Sequence, residues 1–298
     1  MKAIYSDQYD LNLGEHVFPS IKYRLIKEKL LADGVIQDAD LITPSPAADE
    51  DIALVHDREY IERLQKGTLS HAEIMRMEVP YSPELVSAVW LAAGGSILAG
   101  RQSLDDGVAA NLTGGFHHAY PDHGEGFCVI HDVAIAIRRL QKDRAIERAM
   151  TVDCDVHQGN GTAAIFRDDP SVFTFSIHQE NNYPSPKPPS SLDVNLEDGV
   201  GDEEYLAALE KGLTQSFARF RPDLVFYLAG ADPYREDQLG GLNLSQQGLM
   251  ERDRAVFEQA RHRNIPVAIT LAGGYARRVE DTVQLHANTV RIAKEYVW

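Results

Sequence analysis

The sequence predicts an α/β domain built on a mainly parallel sheet, with helices over both faces. Three observations carry that prediction. Short apolar runs of strand length alternate with longer amphipathic stretches, which is the order βα units produce. Four of the apolar runs break at or near glycine and deliver reactive polar residues at that break. The 298 residues contain no internal repeat, low-complexity tract or linker, and that length buries a large core as one domain spanning 1–298.

Taken in chain order, residues 19–33 form an amphipathic helix, with Pro19 and Ser20 near its start and Gly34 just past its end. Residues 58–66 and 83–104 are also helical. The second of these carries the small-residue patch Ala92-Ala93-Gly94-Gly95-Ser96, suited to close packing. The run from Val108 is a strand that breaks at Gly114-Gly115, and a helix at 131–141 follows. Ala149-Met150-Thr151-Val152 is the buried part of a strand that runs on to Gly159. Val172 opens another strand, after which 179–200 is a long irregular, proline-rich segment expected on the rim of the site. A helix at 202–219 precedes the strand from Leu224, and one at 245–263 precedes the strand from Val267.

The polar residues at the strand ends point to a site. Along Asp153-Cys154-Asp155-Val156-His157, alternation puts Asp153, Asp155 and His157 on one face and Cys154 and Val156 on the other. Two carboxylates and an imidazole are mixed O/N ligands of the kind divalent metals such as zinc accept. Left at the end of a buried strand without a metal or each other, such charges are costly. The other three runs deliver His117 and His118, Asp232, and Tyr275. Ligands of open α/β sheets bind at the carboxyl ends of parallel strands, so all four runs aim into one crevice.

Composition excludes several classes. A formal net charge of −16 argues against a nucleic-acid surface and suits cationic substrates, or simply keeps the protein dispersed. No apolar run approaches bilayer-spanning length, and Met1-Lys2-Ala3-Ile4-Tyr5-Ser6 opens no secretory signal, so no membrane association is expected. Two cysteines, Cys128 and Cys154, form no disulfide framework and fit a reducing cytoplasm.

These motifs occur in the order seen in zinc-dependent histone deacetylases: Gly114-Gly115-Phe116-His117-His118, Gly126-Phe127-Cys128 through His131-Asp132, Asp153 through Gly161, Gly230-Ala231-Asp232 with Asp237-Gln238-Leu239-Gly240-Gly241, and Gly273-Gly274-Tyr275. The superfamily includes acetoin-utilisation proteins and acetylpolyamine amidohydrolases. His16 through Pro19 and Val55 through Tyr60 extend the resemblance over nearly the whole chain. Gln158, Asn160 and Lys22 make it most similar to the class IV branch.

The resemblance implies a single-domain, three-layer arginase/deacetylase-like fold and a metal-dependent amidohydrolase acting on acyl-lysine. It implies Asp155, His157 and Asp232 as ligands of Zn²⁺, with Fe²⁺ as an alternative. His118 becomes the base, with His117 orienting water and held by Asp153. Asn160 falls where some relatives place an aspartate against the second histidine. Tyr275 would stabilise the oxyanion. Phe127 and Tyr183 would wall a substrate tunnel, with Gly126, Leu239 and Gly273 beside it. Ser176 and Phe166 would offer carbonyls to K⁺, with help from Asp153. Lys22 and His16 would line an inner cavity, unless Lys22 is merely a solvated helix residue. The remaining histidines, 56, 71, 123, 131, 178, 262 and 286, are expected to be structural or superficial.

Other functions stay open. An acetylpolyamine amidohydrolase suits the negative charge, and long-chain acyl-lysine is a further substrate option. A binuclear arginase-type site lacks its second set of ligands. From another class, the chain could be a catalytically inactive metal-binding interaction module. The expected partners are an acyl-lysine protein or peptide, or a small acetylated amine, with no nucleic acid or membrane; oligomeric state is left open.

Overall fold

The computed structural model describes residues 1–11 and 13–298. Eight strands form one sheet: β1 (Lys2–Ile4), β2 (Leu41–Ile42), β3 (Val108–Asn111), β4 (Ala149–Asp153), β5 (Val172–Gln179), β6 (Leu192–Leu196), β7 (Leu224–Leu228) and β8 (Val267–Thr270). Their order is β2-β1-β3-β8-β7-β4-β5-β6, and every pairing is parallel. Among the described residues there are ten α-helices: α1 (Lys22–Ala32), α2 (Asp49–Ile52), α3 (Arg58–Lys66), α4 (His71–Met77), α5 (Pro83–Asp106), α6 (Asp132–Lys142), α7 (Asn160–Phe166), α8 (Asp202–Arg219), α9 (Gln246–Arg261) and α10 (Val279–Ala293).

Strand alternation sorts the core into two layers. Val108, Ala110, Met150, Val152, Val225, Tyr227, Val267 and Ile269 face one side, against α1, α8, α9 and α10. Their neighbours Ala109, Ala149, Leu224, Phe226, Leu228 and Ala268 face the other, against α5, α6 and α7. The central strands are thus buried on both faces, which explains their near-continuous apolar runs. Each fully buried Phe or Leu contributes about 1.5–3 kcal/mol. A third cluster gathers α2, α3, α4 and the outer face of α5.

Helix α5 is long and apolar enough to cross a membrane, contrary to the expectation that no run has that length, but 72% of its most apolar window is buried inside the protein. Its ends have physical causes. The Ser82 hydroxyl accepts from the Leu85 N–H at 3.0 Å, Pro83 occupies the first turn, and Gly107 ends it with φ 82°.

Two boundaries differ from the sequence expectation. Strand β4 stops at Asp153, and Cys154 to Gly159 turn away from the ladder, although Cys154 and Val156 still pack into the core opposite Asp155 and His157. The segment 179–200 is not irregular throughout: β5 continues to Gln179, and Leu192–Leu196 adds an edge strand beside it. An edge strand is held by one ladder only, so its half-buried residues carry little apolar signal.

The topology positions the site. The strands that deliver the polar residues, β3, β8, β7 and β4, are four consecutive neighbours at the sheet centre. Asn111, Thr270, Leu228 and Asp153 lie in register across them, so all four chains leave the sheet at one level.

Candidate active site

Beyond β4, backbone N–H groups fold the ligand loop onto its own carboxylates. The Asp155 N–H donates to Asp153 Oδ1 at 3.1 Å, and the His157 N–H donates to Asp155 Oδ1 at 3.0 Å. From β7, Asp232 accepts from the Val156 N–H at 2.9 Å, and from β8 the Gly273 N–H donates to Asp155 Oδ2 at 2.8 Å. Asp155, His157 and Asp232 are all buried, and one potential ligand atom from each lies within 4.8 Å of the others. Among the described residues Asp232 Oδ2 has no hydrogen-bond partner, and its nearest cation is His157 Nδ1 at 3.4 Å. A buried carboxylate oxygen left unpaired is costly, and a cation answers that cost. The donor set therefore fits a divalent metal such as zinc.

The electrostatics agree. Burial opposes the charge on His157, but Asp155 and Asp232 outweigh it and hold the imidazole up at about 10. Burial, with Asp155 beside it, pushes Asp232 up to about 7. The metal-free site thus retains protons that a dication would displace. Gly273 is required by space: a Cβ there would sit 2.0 Å from Asp232 Oδ2 and 2.5 Å from Asp155 Oδ2. It lies against both carboxylates and also lines an inner cavity with Phe127, His118 and Tyr275.

The histidine pair follows the β3 break. The His117 and His118 rings are 4.1 Å apart. His117 Nδ1 is 2.7 Å from Asp153 Oδ2, and despite burial Asp153 and Asp155 hold this imidazole up at about 9. His118 Nδ1 is 2.6 Å from Asn160 Oδ1, at the start of α7. Burial, reinforced by the neighbouring histidines, holds His118 well below the usual imidazole range. One histidine is thereby paired with a carboxylate and its neighbour with an uncharged amide.

Tyr275 is buried, with its phenol pushed far up by desolvation, so it is a neutral donor. Its backbone N–H donates to Asp237 Oδ2 at 2.6 Å, while Asp237 Oδ1 accepts from the N–H groups of Leu239 at 2.8 Å and Gly240 at 3.1 Å. Asp237 therefore clamps the β7 and β8 loops together.

A cavity of about 270 Å³ opens above this group, lined among others by Phe127, Tyr183, Leu239, His118, His157 and Tyr275. Phe127 is held at φ 66°, unusual for a bulky residue, with its N–H donating to the Met77 carbonyl at 2.8 Å. Gly126, at φ 51°, leaves room where a Cβ would lie 2.9 Å from the His118 ring. The Tyr183 ring stands edge-on to His118 at 4.9 Å. The proline-rich segment therefore does reach the rim.

Several residues depart from expectation. Lys22 is not solvated; it is fully buried, and its Nζ donates to the Ala272 carbonyl at 3.0 Å. His16 is only half-buried and reaches the Glu78 carbonyl with Nε2 at 2.8 Å. Ser176 stands in register with Asp153, and the Phe166 side chain packs into the second core layer, which leaves the expected role of its carbonyl untouched. Sequence reasoning assigned no role to Glu125, Asp237 or Arg252. Arg252, buried on α9, donates to the Gly230 carbonyl at 2.5 Å and the Cys154 carbonyl at 3.4 Å, bracing both ligand loops from behind. Its only sequence signal is an arginine inside a helix, which usually means a solvated face.

Residues 16–290 match the family model for the histone deacetylase domain. The chain is 42% identical to an uncharacterised protein of Picosynechococcus sp., over 94% of this chain and 94% of that one. It is 33% identical to histone deacetylase 2 of Arabidopsis thaliana, covering 95% of this chain and 78% of that one. Its fold is similar to the crystal structure of a histone deacetylase homologue complexed with SAHA, with TM-score 0.83 and 25% identity over 99% of this chain and 84% of that one.

Proposed function

Because the chain belongs to the histone deacetylase family, we propose that it is a metal-dependent amidohydrolase that removes acetyl or longer acyl groups from lysine side chains. The observation that carries this reading is the unpaired Asp232 Oδ2 beside Asp155 and His157, with His118 and Tyr275 bordering the same cavity. A zinc ion held by these three ligands would act as a Lewis acid toward the acyl carbonyl and lower the pKa of water there.

The chain's own residues account for the rest. Phe127 and Tyr183 enclose the alkyl stem and exclude water from it. His118, neutral at working pH, takes the proton of the attacking water and returns it to the departing amine nitrogen. The water oxygen bonds to the acyl carbon, the carbon–nitrogen bond breaks, and carboxylate and free amine leave. The Tyr275 hydroxyl donates to the carbonyl oxygen as negative charge develops on it. His117, charged through Asp153, orients the water. A potassium ion near Asp153 and a cytoplasmic location are part of the same proposal. Two unpaired, buried cysteines suit a reducing compartment.

The test is turnover of acetyl-, butyryl- and myristoyl-lysine peptides and N-acetylpolyamines by protein loaded with zinc or iron(II). Chelated enzyme and Tyr275→Phe serve as controls. Preference for a peptide supports the lysine reading, and preference for the polyamines replaces it with a small acetylated amine. No turnover by protein with metal bound would leave a metal-binding interaction module.

A further inference from the structure

The uncharged partner of His118 has its own anchor. Asn160 turns Oδ1 toward His118 Nδ1 at 2.6 Å, and its Nδ2 donates to Glu125 Oε1 at 2.7 Å. The Tyr183 hydroxyl donates to the same Glu125 oxygen at 2.5 Å. His123 Nε2 lies 3.5 Å from Glu125 Oε2. Glu125 is fixed in turn by reciprocal backbone hydrogen bonds with Cys128, both 2.9 Å, across the turn that carries Gly126 and Phe127. Although burial opposes it, hydrogen bonds from His123, Tyr183 and Asn160 hold this carboxylate down at about 2.

We propose that Glu125 is a positioning residue that fixes the orientation of the Asn160 amide, and through it the tautomer of His118, while docking Tyr183 against the same wall. An ionised carboxylate only accepts, so it must face the Asn160 NH₂ group. That leaves the amide oxygen facing His118, and an oxygen can only accept from Nδ1–H. Neutral His118 then carries its single proton on Nδ1, and Nε2 is free to take the proton of water. With the amide reversed, Nδ1 would accept, the proton would sit on Nε2, and the base would be lost. An aspartate beside histidine needs no such device, because both of its oxygens accept. Asparagine does need one. This inference rests on the proposed role of His118 as base.

The resting protein tests it without substrate. In zinc-loaded, ¹⁵N-histidine-labelled protein, with His118 assigned by a His118→Ala variant, the wild type is expected to show only the Nδ1–H tautomer. Glu125→Leu should give a mixture of tautomers, and Glu125→Gln, whose amide can present either its oxygen or its NH₂ to Asn160, should retain more of the wild-type form than Glu125→Leu does. Turnover of an acetyl-lysine peptide supplies a second arm. Asn160→Asp sets a second carboxylate against Glu125 and should lower kcat about tenfold or more. The paired exchange Glu125→Gln with Asn160→Asp should restore it, because the glutamine NH₂ donates to the new carboxylate. A pure Nδ1–H tautomer in Glu125→Leu overturns the proposal, as do independent, multiplicative effects of the two exchanges. If the tautomer shifts as expected while the wild type hydrolyses no acylated amine, the catalytic reading fails and the positioning role stands.

Discussion

A lysine ammonium inside the protein should leave a measurable mark on stability. Lys22 is 0% exposed, its Nζ lies 5.5 Å from the ring centroids of Phe18, Tyr23 and Tyr275, and its one hydrogen bond goes to the Ala272 carbonyl. Burial pushes it down to about 8 from 10.5, while Asp232, Asp155 and Asp237 keep it from falling further. At ~1.4 kcal/mol per pH unit, that gap corresponds to about 3 kcal/mol. The sign follows from proton counting. Between roughly pH 8 and 10.5 the unfolded chain holds a proton that the folded protein has released, so stability rises with pH across that window. Lys22→Met keeps the stem and removes the charge. It also orphans the Ala272 carbonyl, a pH-independent cost of ~1–3 kcal/mol. Urea unfolding of metal-free wild type and variant should therefore show the wild type gaining about 3 kcal/mol on the variant between pH 7 and 10.5. Titrating groups away from Lys22 cancel in the comparison. A difference that does not change with pH would refute the reasoning.

Three further outcomes follow from the site. Tyr275→Phe removes a donor aimed at the oxyanion, so kcat should fall on the order of 10²–10³ while zinc affinity, read by chelator competition, stays unchanged. Gly273→Ala drives a methyl into Asp232 and Asp155, so zinc affinity should drop by at least about tenfold to a hundredfold; wild-type affinity would contradict the close contact. Asp155 and Asp232 hold metal-free His157 protonated up to about pH 10, so binding must release that proton. Apparent zinc affinity should then rise about tenfold per pH unit between roughly pH 7.5 and 9 and more steeply below pH 7, where Asp232 also holds a proton, and calorimetry in buffers of different ionisation enthalpy should register the released protons.

The Asp155, His157 and Asp232 cluster and the sheet centre were legible in the sequence because both rest on short-range rules. Strand alternation survived past the end of β4, so Asp155 and His157 point together although neither is in a strand. The four polar breaks were readable because glycine marks a chain leaving a buried strand. Strand β6 was missed because an edge strand buries little apolar surface, and its proline-rich approach reads as coil. Lys22 was misjudged as readily solvated because nothing local distinguishes a helix lysine in water from one facing a cluster of carboxylates. Glu125 was invisible for a related reason: its partners Asn160 and Tyr183 stand 35 and 58 residues away. Only the folded chain makes them neighbours.

Those long-range groups share one electrostatic task. Asp153, Asp155 and Asp232 are all buried, the last two with carboxylate oxygens within 4.8 Å of one another, and such a cluster repels itself and its own folding. Cationic groups surround it at graded distance. His117 sits in direct contact with Asp153, Lys22 is held at the Ala272 carbonyl, and Arg252 grips the Gly230 and Cys154 carbonyls instead of the carboxylates. Because Arg252 binds backbone and is itself paired with Asp253 at 2.8 Å, it braces the loops without occupying a ligand oxygen. Lys22 likewise spends its hydrogen bond on a carbonyl. The result is a cluster whose backbone is fixed by positive charge while Asp232 Oδ2 accepts no hydrogen bond among the described residues. Its nearest cation is His157 Nδ1 at 3.4 Å, an imidazolium that gives up its proton when a metal binds, so the oxygen keeps its capacity to accept an ion.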